Sequence, residues 1–247
     1  MPLSPIRQPI VVFGGFLSYP KVYSGMRDTL AEITRQRVWI VEARTYDWLR
    51  GRAPGRWAPL LRKLERAVQQ AVRHSTTGKV TLIGHSAGGV VSRLYLSPTP
   101  FLGHAYRGLE YVSHLITLGS PHHSQGQRWK WQWIEEQYPG AYFAPQVKYT
   151  SIGGKVIRGH RHGSLRERGV YKVYERLCGD GNVWGDGLVP LASQLLSGAQ
   201  QIVLDGVSHY LGFGGPWYGE TEVIPRWWNV CMGDNALGNK DIAINQP

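Results

Sequence analysis

The sequence predicts an α/β fold: a mostly parallel sheet with helices on both faces. Two observations carry this expectation. The short runs Ile10–Phe13, Val38–Val41, Val80–Ile83 and Leu115–Leu118 carry apolar residues on both faces, interrupted only by Thr81 and Thr117, as strands covered on both sides do. Stretches with apolar residues at helical spacing lie between them, and that alternation is the pattern of strand–helix–strand units.

The elements follow in order. Ile10-Val11-Val12-Phe13 reads as a first strand closing in Gly14-Gly15. Tyr23, Met26, Leu30 and Ile33 recur at helical spacing. Val38-Trp39-Ile40-Val41 is a second strand, followed by a Gly/Arg/Pro-rich loop at 51–56. Leu60, Leu61, Leu64, Ala67, Val68, Ala71 and Val72 then form one apolar helical stripe. A third strand leads into Gly84-His85-Ser86-Ala87-Gly88 and an apolar helix, and a fourth closes in Gly119-Ser120-Pro121. Later strands are expected at 147–152 and 201–204, with a final helix near 222–230.

The bulk properties suit one globular domain over residues 1–247, with a cap or insertion at about 122–178. A chain of 247 residues with 42% hydrophobic and 18% charged residues can bury a substantial core. No run approaches the roughly 20 apolar residues that span a bilayer. No signal-like apolar region is read before Ile10, so a cytoplasmic protein with peripheral membrane contact is expected. Cys178 and Cys231 are too few and too widely spaced for a disulfide framework. The net charge of +11 is uneven: seven cations against Glu167 alone lie between Lys148 and Lys172. Such a stretch favours an anionic partner. Nucleic acid is not expected, because no nucleic-acid-binding signature accompanies the charge. An anionic membrane surface is the alternative, beside an ordinary solvated basic face.

The motif after the third strand carries the chemistry. A Gly-x-Ser-x-Gly turn between a strand and a helix is the context of a nucleophile elbow, which holds a serine above the sheet edge. A serine nucleophile needs a base, an orienting acid and an oxyanion hole. In the strand–elbow–helix arrangement the chain order is Ser, then Asp or Glu, then His. Of nine histidines, His209 alone stands at the end of that order, in the loop after the strand at 201–204. Asp180, Asp186 and Asp205 all lie between Ser86 and His209. Asp186 leads, because Gly185 and Gly187 flank it and can aim a short carboxylate inward. Asp180 and Asp205 suit turn positions. The oxyanion donors expected are the amide of Ala87, after the nucleophile, and that of Phe16, in the Gly14-Gly15-Phe16 loop after the first strand.

Taken together, these segments resemble the lipase-type serine α/β-hydrolases, the group of bacterial lipases and inositol-deacylase-like enzymes. The resemblance runs from Pro9 to about Leu211. It rests on Gly14-Gly15-Phe16, on Gly84-His85-Ser86-Ala87-Gly88, and on Gly119-Ser120-Pro121-His122, which is similar to the family's Gly-Thr-Pro-His. Ser151-Ile152-Gly153-Gly154, Asp186-Gly187-Leu188-Val189-Pro190 and Asp205-Gly206-Val207-Ser208-His209 complete it. One departure is Gly14, where the family often has the His of a His-Gly opening. The resemblance implies an α/β-hydrolase fold, the triad Ser86, Asp186 and His209, and hydrolysis of acyl-lipid or other carboxylic esters.

Neither a metal nor another cofactor is expected: His122-His123 and His160-x-His162 have no carboxylate cluster beside them. Trp129, Trp131 and Trp133, mixed with cations, suggest with the basic stretch a cap or membrane-facing rim, or else packing on the sheet. Leu211, Phe213, Trp217 and Tyr218 line an acyl pocket or belong to the core. Two other functions fit the same residues: an acyltransferase, with an alcohol or thiol replacing water, and a non-catalytic ligand-binding protein.

Overall fold

Every strand expected from the sequence pairs into one sheet in the computed structural model, which describes residues 7–50, 57–123, 132–212, 214–233 and 242–245. The chain runs β1 (Ile10–Phe13), α1 (Ser24–Thr34), β2 (Val38–Ile40), α2 (Thr45–Arg50), α3 (Ala58–Val72), β3 (Val80–His85) and α4 (Ala87–Tyr95). It continues through α5 (Gly108–Tyr111), β4 (Val112–Leu118), α6 (Gln132–Gln137) and β5 (Lys148–Lys155). The last part contains β6 (Ile157–Arg158), α7 (Leu165–Cys178), β7 (Trp184–Gly185), α8 (Leu191–Gln194), β8 (Gln200–Asp205), α9 (Ile224–Met232) and β9 (Ile242–Asn245).

The sheet order is β2-β1-β3-β4-β5-β8-β9, parallel throughout except for β9, which pairs antiparallel with β8. From β1 the chain passes to β2 on one side and returns to place β3 on the other. The carboxyl ends of β1 and β3 therefore flank a topological switch point, where open α/β sheets bind ligands. Register fixes the neighbours there: Phe13 lies beside Gly84, and His85 beside Leu118.

Alternation along the strands divides the core into two layers. Val11, Phe13, Leu82 and Leu115 pack on one face with α3 and α4. Ile10, Val12, Ile83 and Ile116 pack on the other with α1 and α9. Leu60, Leu61 and Leu64 of α3 are fully buried, each contributing about 2 kcal/mol of burial. Helix α4 is buried on all sides; its residues are small or apolar except Ser92, which donates to Gly88 O, and Arg93, which pairs with Glu135.

The differences from expectation are local. Tyr23 lies in a 3₁₀ turn, Pro20–Tyr23, that precedes α1 rather than in the helix itself. Strand β5 runs on through Gly153-Gly154 to Lys155. It lies inside the sheet and so divides the 122–178 stretch into two excursions, one before it and one containing β6 and α7. Helix α7 starts with a Ser164/Glu167 capping box and ends at a left-handed Gly179. The loop 51–56, Trp129, Trp131 and Phe213 lie outside the described residues. Among the described residues, no helix is long and apolar enough to cross a membrane.

Candidate active site

The elbow is built by contacts that exclude side chains. A Cβ at Gly88 would stand 2.4 Å from the Phe13 carbonyl oxygen, and one at Gly84 2.4 Å from Gly89 Cα. Strand β1, strand β3 and helix α4 thus meet backbone to backbone, which only glycine allows. At the apex Ser86 has φ 53° and ψ −130°, a strained conformation for a non-glycine residue. Its amide donates to Leu118 O at 2.8 Å, tying the elbow to the end of β4. Ser86 caps α4, so the helix's amino end lies beneath it.

The loop after β1 approaches the elbow closely. A Cβ on Gly15 would stand 2.7 Å from Ser86 Cβ. Residues Gly15–Ser18 form a turn in which Gly15 O accepts from both the amide and the hydroxyl of Ser18. Leu17 is held at φ 61° in that turn. The Gly15 amide is already engaged, donating to Tyr23 Oη at 2.9 Å. The amides of Phe16 and Ala87 donate to no protein acceptor among the described residues.

Asp186 and His209 meet at the other end of the site. His209 Nδ1 donates to Asp186 Oδ2 at 2.7 Å, and both side chains are fully buried. The His209 amide also donates to Asp186 O at 2.8 Å, fixing the two loops together. Asp186 Oδ1 accepts from the amides of Leu188 and Val189 at 3.0 and 2.7 Å. Tyr218 Oη stands 3.0 Å from Oδ2 and 2.8 Å from Gln194 Oε1, and accepts from the Gly154 amide at 2.7 Å. Tyr174 Oη accepts from the Gly187 amide at 2.8 Å. The carboxylate is therefore held in one orientation by four donors or potential donors.

Ser86 and His209 are not hydrogen-bonded to each other. His209 Nε2 is buried and has no partner among the described residues. Such nucleophile–base contacts are often open without substrate. Around this nitrogen the walls are aromatic. The ring of His209 lies 4.8 Å from that of His85 and 5.1 Å from that of Tyr210. His85 Nδ1 is 2.9 Å from Tyr23 Oη. Burial, and secondarily the charge of His209, hold the His85 pKa well below its ordinary value.

Asp180 and Asp205 lie elsewhere. Asp180 Oδ1 caps the Asn182 amide, and Asp205 pairs with Lys155 at 3.3 Å. Trp217 and Tyr218 belong to the core, and Leu211 is exposed. Trp133 packs against Phe101 and the core instead of facing outward. Of the basic stretch, Lys148 donates to Cys231 O, Lys155 stands over the Trp184 ring, and Arg158 donates to Asn182 O. Arg161, Arg168 and Lys172 line a surface cleft with His162, Tyr171 and Glu175. His122 is buried against Thr117, and His123 is 3.8 Å from Glu135.

Sequence reasoning did not find Tyr218, Gln194, Tyr23 or His85 as parts of this arrangement. His85 was read only as part of the elbow and Tyr218 only as acyl pocket or core, while Gln194 and Tyr23 bear no motif; packing between elements distant in sequence brings them together.

Comparison with known proteins bears on the fold. Residues 56–138, which contain α3, the elbow and β4, match the family model described as a PGAP1-like alpha/beta domain. The structure is similar to the product of the gene lin2722 from Listeria innocua, with a TM-score of 0.50 and 12% identity over 95% of this chain and 96% of that one. The fold is that of an α/β-hydrolase. A Lactobacillus plantarum protein described as a candidate cell surface hydrolase is similar to the same degree, with a TM-score of 0.50 and 11% identity. That α/β-hydrolase likeness covers 97% of this chain and 99% of the other. No curated protein matches the sequence.

Proposed function

We propose that this α/β-hydrolase is a serine esterase or lipase acting on acyl-lipid or other carboxylic esters, with Ser86, His209 and Asp186 as its triad. The observation that carries the reading is the buried 2.7 Å hydrogen bond from His209 Nδ1 to Asp186, beside a serine held at φ 53°. A carboxylate accepting at Nδ1 leaves Nε2 unprotonated and able to take a proton.

The reaction follows from those roles. Ser86 Oγ rotates toward His209 Nε2 and attacks the ester carbonyl as its proton passes to that nitrogen. Asp186 stabilises the resulting imidazolium. The free amides of Phe16 and Ala87 receive the oxyanion, a contribution of about 10²–10³ in rate for each donor. The imidazolium protonates the departing alkoxide, and water attacks the acyl-enzyme with His209 again as base. The chemistry uses only side chains, backbone amides and water.

Ser86→Ala tests the reading on p-nitrophenyl esters from short to long acyl chains. Turnover by the wild type that vanishes in the variant supports a serine esterase, and the chain-length optimum separates small esters from lipids. Absence of turnover on every ester by a folded wild type refutes it. Contact with anionic membranes, if made through Arg161, Arg168 and Lys172, requires that replacing all three with Gln weaken sedimentation with anionic but not neutral vesicles.

A further inference from the structure

The buried group that this chemistry leaves unused is the Tyr23–His85 pair. Tyr23 is 1% exposed and His85 is fully buried, yet both carry polar atoms directed at the site. The Tyr23 oxygen takes the Gly15 N–H at 2.9 Å and lies 2.9 Å from His85 Nδ1. Because the Gly15 amide is the donor to that oxygen, the hydroxyl proton remains available for a neutral His85. The pair thus joins the loop after β1 to the residue immediately before the nucleophile.

Packing supports the same link. A Cβ at Gly14 would stand 2.4 Å from Tyr23 Cε2, so the ring fills the space a side chain there would need. Gly14 is the position at which the sequence departs from the family's opening. The ring also lies edge-on to Trp217 at 5.8 Å, and Tyr210 Oη is 3.5 Å from its hydroxyl. The turn that follows is closed within itself through Gly15 O, includes a left-handed Leu17, and has exposed Phe16 and Leu17 side chains. From outside, Thr45 Oγ1 donates to Leu17 O at 3.2 Å and the Phe16 ring stands edge-on to Trp48, but neither contact engages the Gly15 amide.

We propose that Tyr23 is a positioning residue for the oxyanion turn: by engaging the Gly15 amide while bonded to His85, it leaves the next amide, that of Phe16, as the one presented over Ser86. The proposal rests on the esterase reading for its catalytic consequence, though not for its structural one. Without the hydroxyl, the Gly15 amide loses its acceptor and the turn can pivot, dividing its time between two donors. A misplacement of this kind lowers the rate of the step that develops the oxyanion more than it changes ground-state binding.

The test compares wild type, Tyr23→Phe, His85→Leu and His85→Asn by two measurements. The first is hydrogen exchange and ¹⁵N–¹H shift of the Gly15 amide, which needs no activity. Tyr23→Phe should quicken Gly15 exchange at least about tenfold relative to the amides of β1, consistent with loss of a hydrogen bond. The second is p-nitrophenyl ester kinetics: kcat should fall about 10- to 100-fold with KM within about twofold, a share of what losing an oxyanion donor costs. His85→Leu should reproduce the Tyr23→Phe effects, and His85→Asn, which keeps a polar atom near Nδ1, should lose less. Unchanged Gly15 exchange in Tyr23→Phe overturns the proposal whether or not the wild type hydrolyses esters. Faster exchange with unchanged kcat in an active enzyme overturns it too. A wild type without esterase activity refutes the esterase reading alone, and Gly15 exchange then decides the positioning role.

Discussion

Replacing Asp186 with Asn removes one charge and should change which nitrogen of His209 carries the proton. Asp186 Oδ1 accepts from two backbone amides, at 3.0 Å from Leu188 and 2.7 Å from Val189. Backbone donors cannot reverse, so the amide oxygen of Asn must occupy the Oδ1 site and its NH₂ the Oδ2 site. That NH₂ faces His209 Nδ1, now 2.7 Å from Oδ2. It donates there and drives the imidazole proton to Nε2, where it blocks acceptance from Ser86. Tyr218 still has Gln194 Oε1 at 2.8 Å as an acceptor, so the substitution strands no buried hydroxyl. The expected loss in kcat is about 10⁴-fold, the size seen when a triad acid is made neutral in a protease of another fold, or roughly 5.5 kcal/mol. Ester kinetics give the loss, and ¹⁵N shifts of the His209 ring report the tautomer. A loss below about tenfold, or an Nδ1–H tautomer retained in the variant, would refute this reasoning.

Other consequences concern stability. Gly88→Ala directs a methyl at the carbonyl oxygens of Phe13 and Gly14, 2.4 and 2.5 Å away, and backbone cannot yield as a side chain can. A loss of at least about 2 kcal/mol is expected from urea unfolding; wild-type stability would mean that β1 and α4 separate freely. Acid should destabilise the fold through three buried histidines. Burial, with the charge of Lys148 second, lowers His114 to about 3, and burial places His85 and His122 well below their ordinary value. Each binds a proton near pH 6.5 only when unfolded, so its contribution is whole above that pH and lost as pH falls toward the folded value. Each should remove about 1.4 kcal/mol per pH unit below 6.5, so urea midpoints at pH 7.5 and 5.5 should differ clearly. Equal midpoints would contradict neutral burial of these rings. Glu135→Ala should cost about 2–4 kcal/mol, since Arg93 is 2% exposed and pairs with Glu135 at 2.7 Å. A loss under 0.5 kcal/mol in thermal and urea unfolding would show that the carbonyls of Tyr138 and Gly140 suffice for Arg93.

Much of the sheet was legible because its strands are buried on both faces. Such strands carry apolar residues on both faces, and Ile10–Phe13 and, apart from Thr117, Leu115–Leu118 announce themselves for that reason. Helix α3 was legible because one face only is buried. The extension of β5 was obscured by Gly153-Gly154, which weaken a strand pattern but here avoid contact with Leu191 and Val207 O. Helix α7 has a short apolar stripe, burying only Val170 and Tyr174, so its capping box was a better signal than its periodicity. Within the site, chain order and flanking glycines brought Asp186 and His209 to attention, and these two do meet. The support around them was not legible. Tyr218, Gln194 and His85 act through contacts across 24 to 62 residues, and Tyr23 reaches the Gly15 amide across eight residues that no single regular element spans; no spacing rule encodes those.

Hydrolysis through an acyl-enzyme requires a covalent bond to form at Ser86. Incubation with diethyl p-nitrophenyl phosphate, followed by intact-mass and peptide mass spectrometry, examines that bond directly. One diethylphosphoryl adduct is expected on the peptide containing Ser86, with release of one equivalent of p-nitrophenol and parallel loss of ester turnover. Ser86→Ala should take no adduct, and Asp186→Asn should take it far more slowly. Persistent ester turnover with Ser86 unmodified, or an adduct mapping to another residue, would contradict Ser86 as the nucleophile.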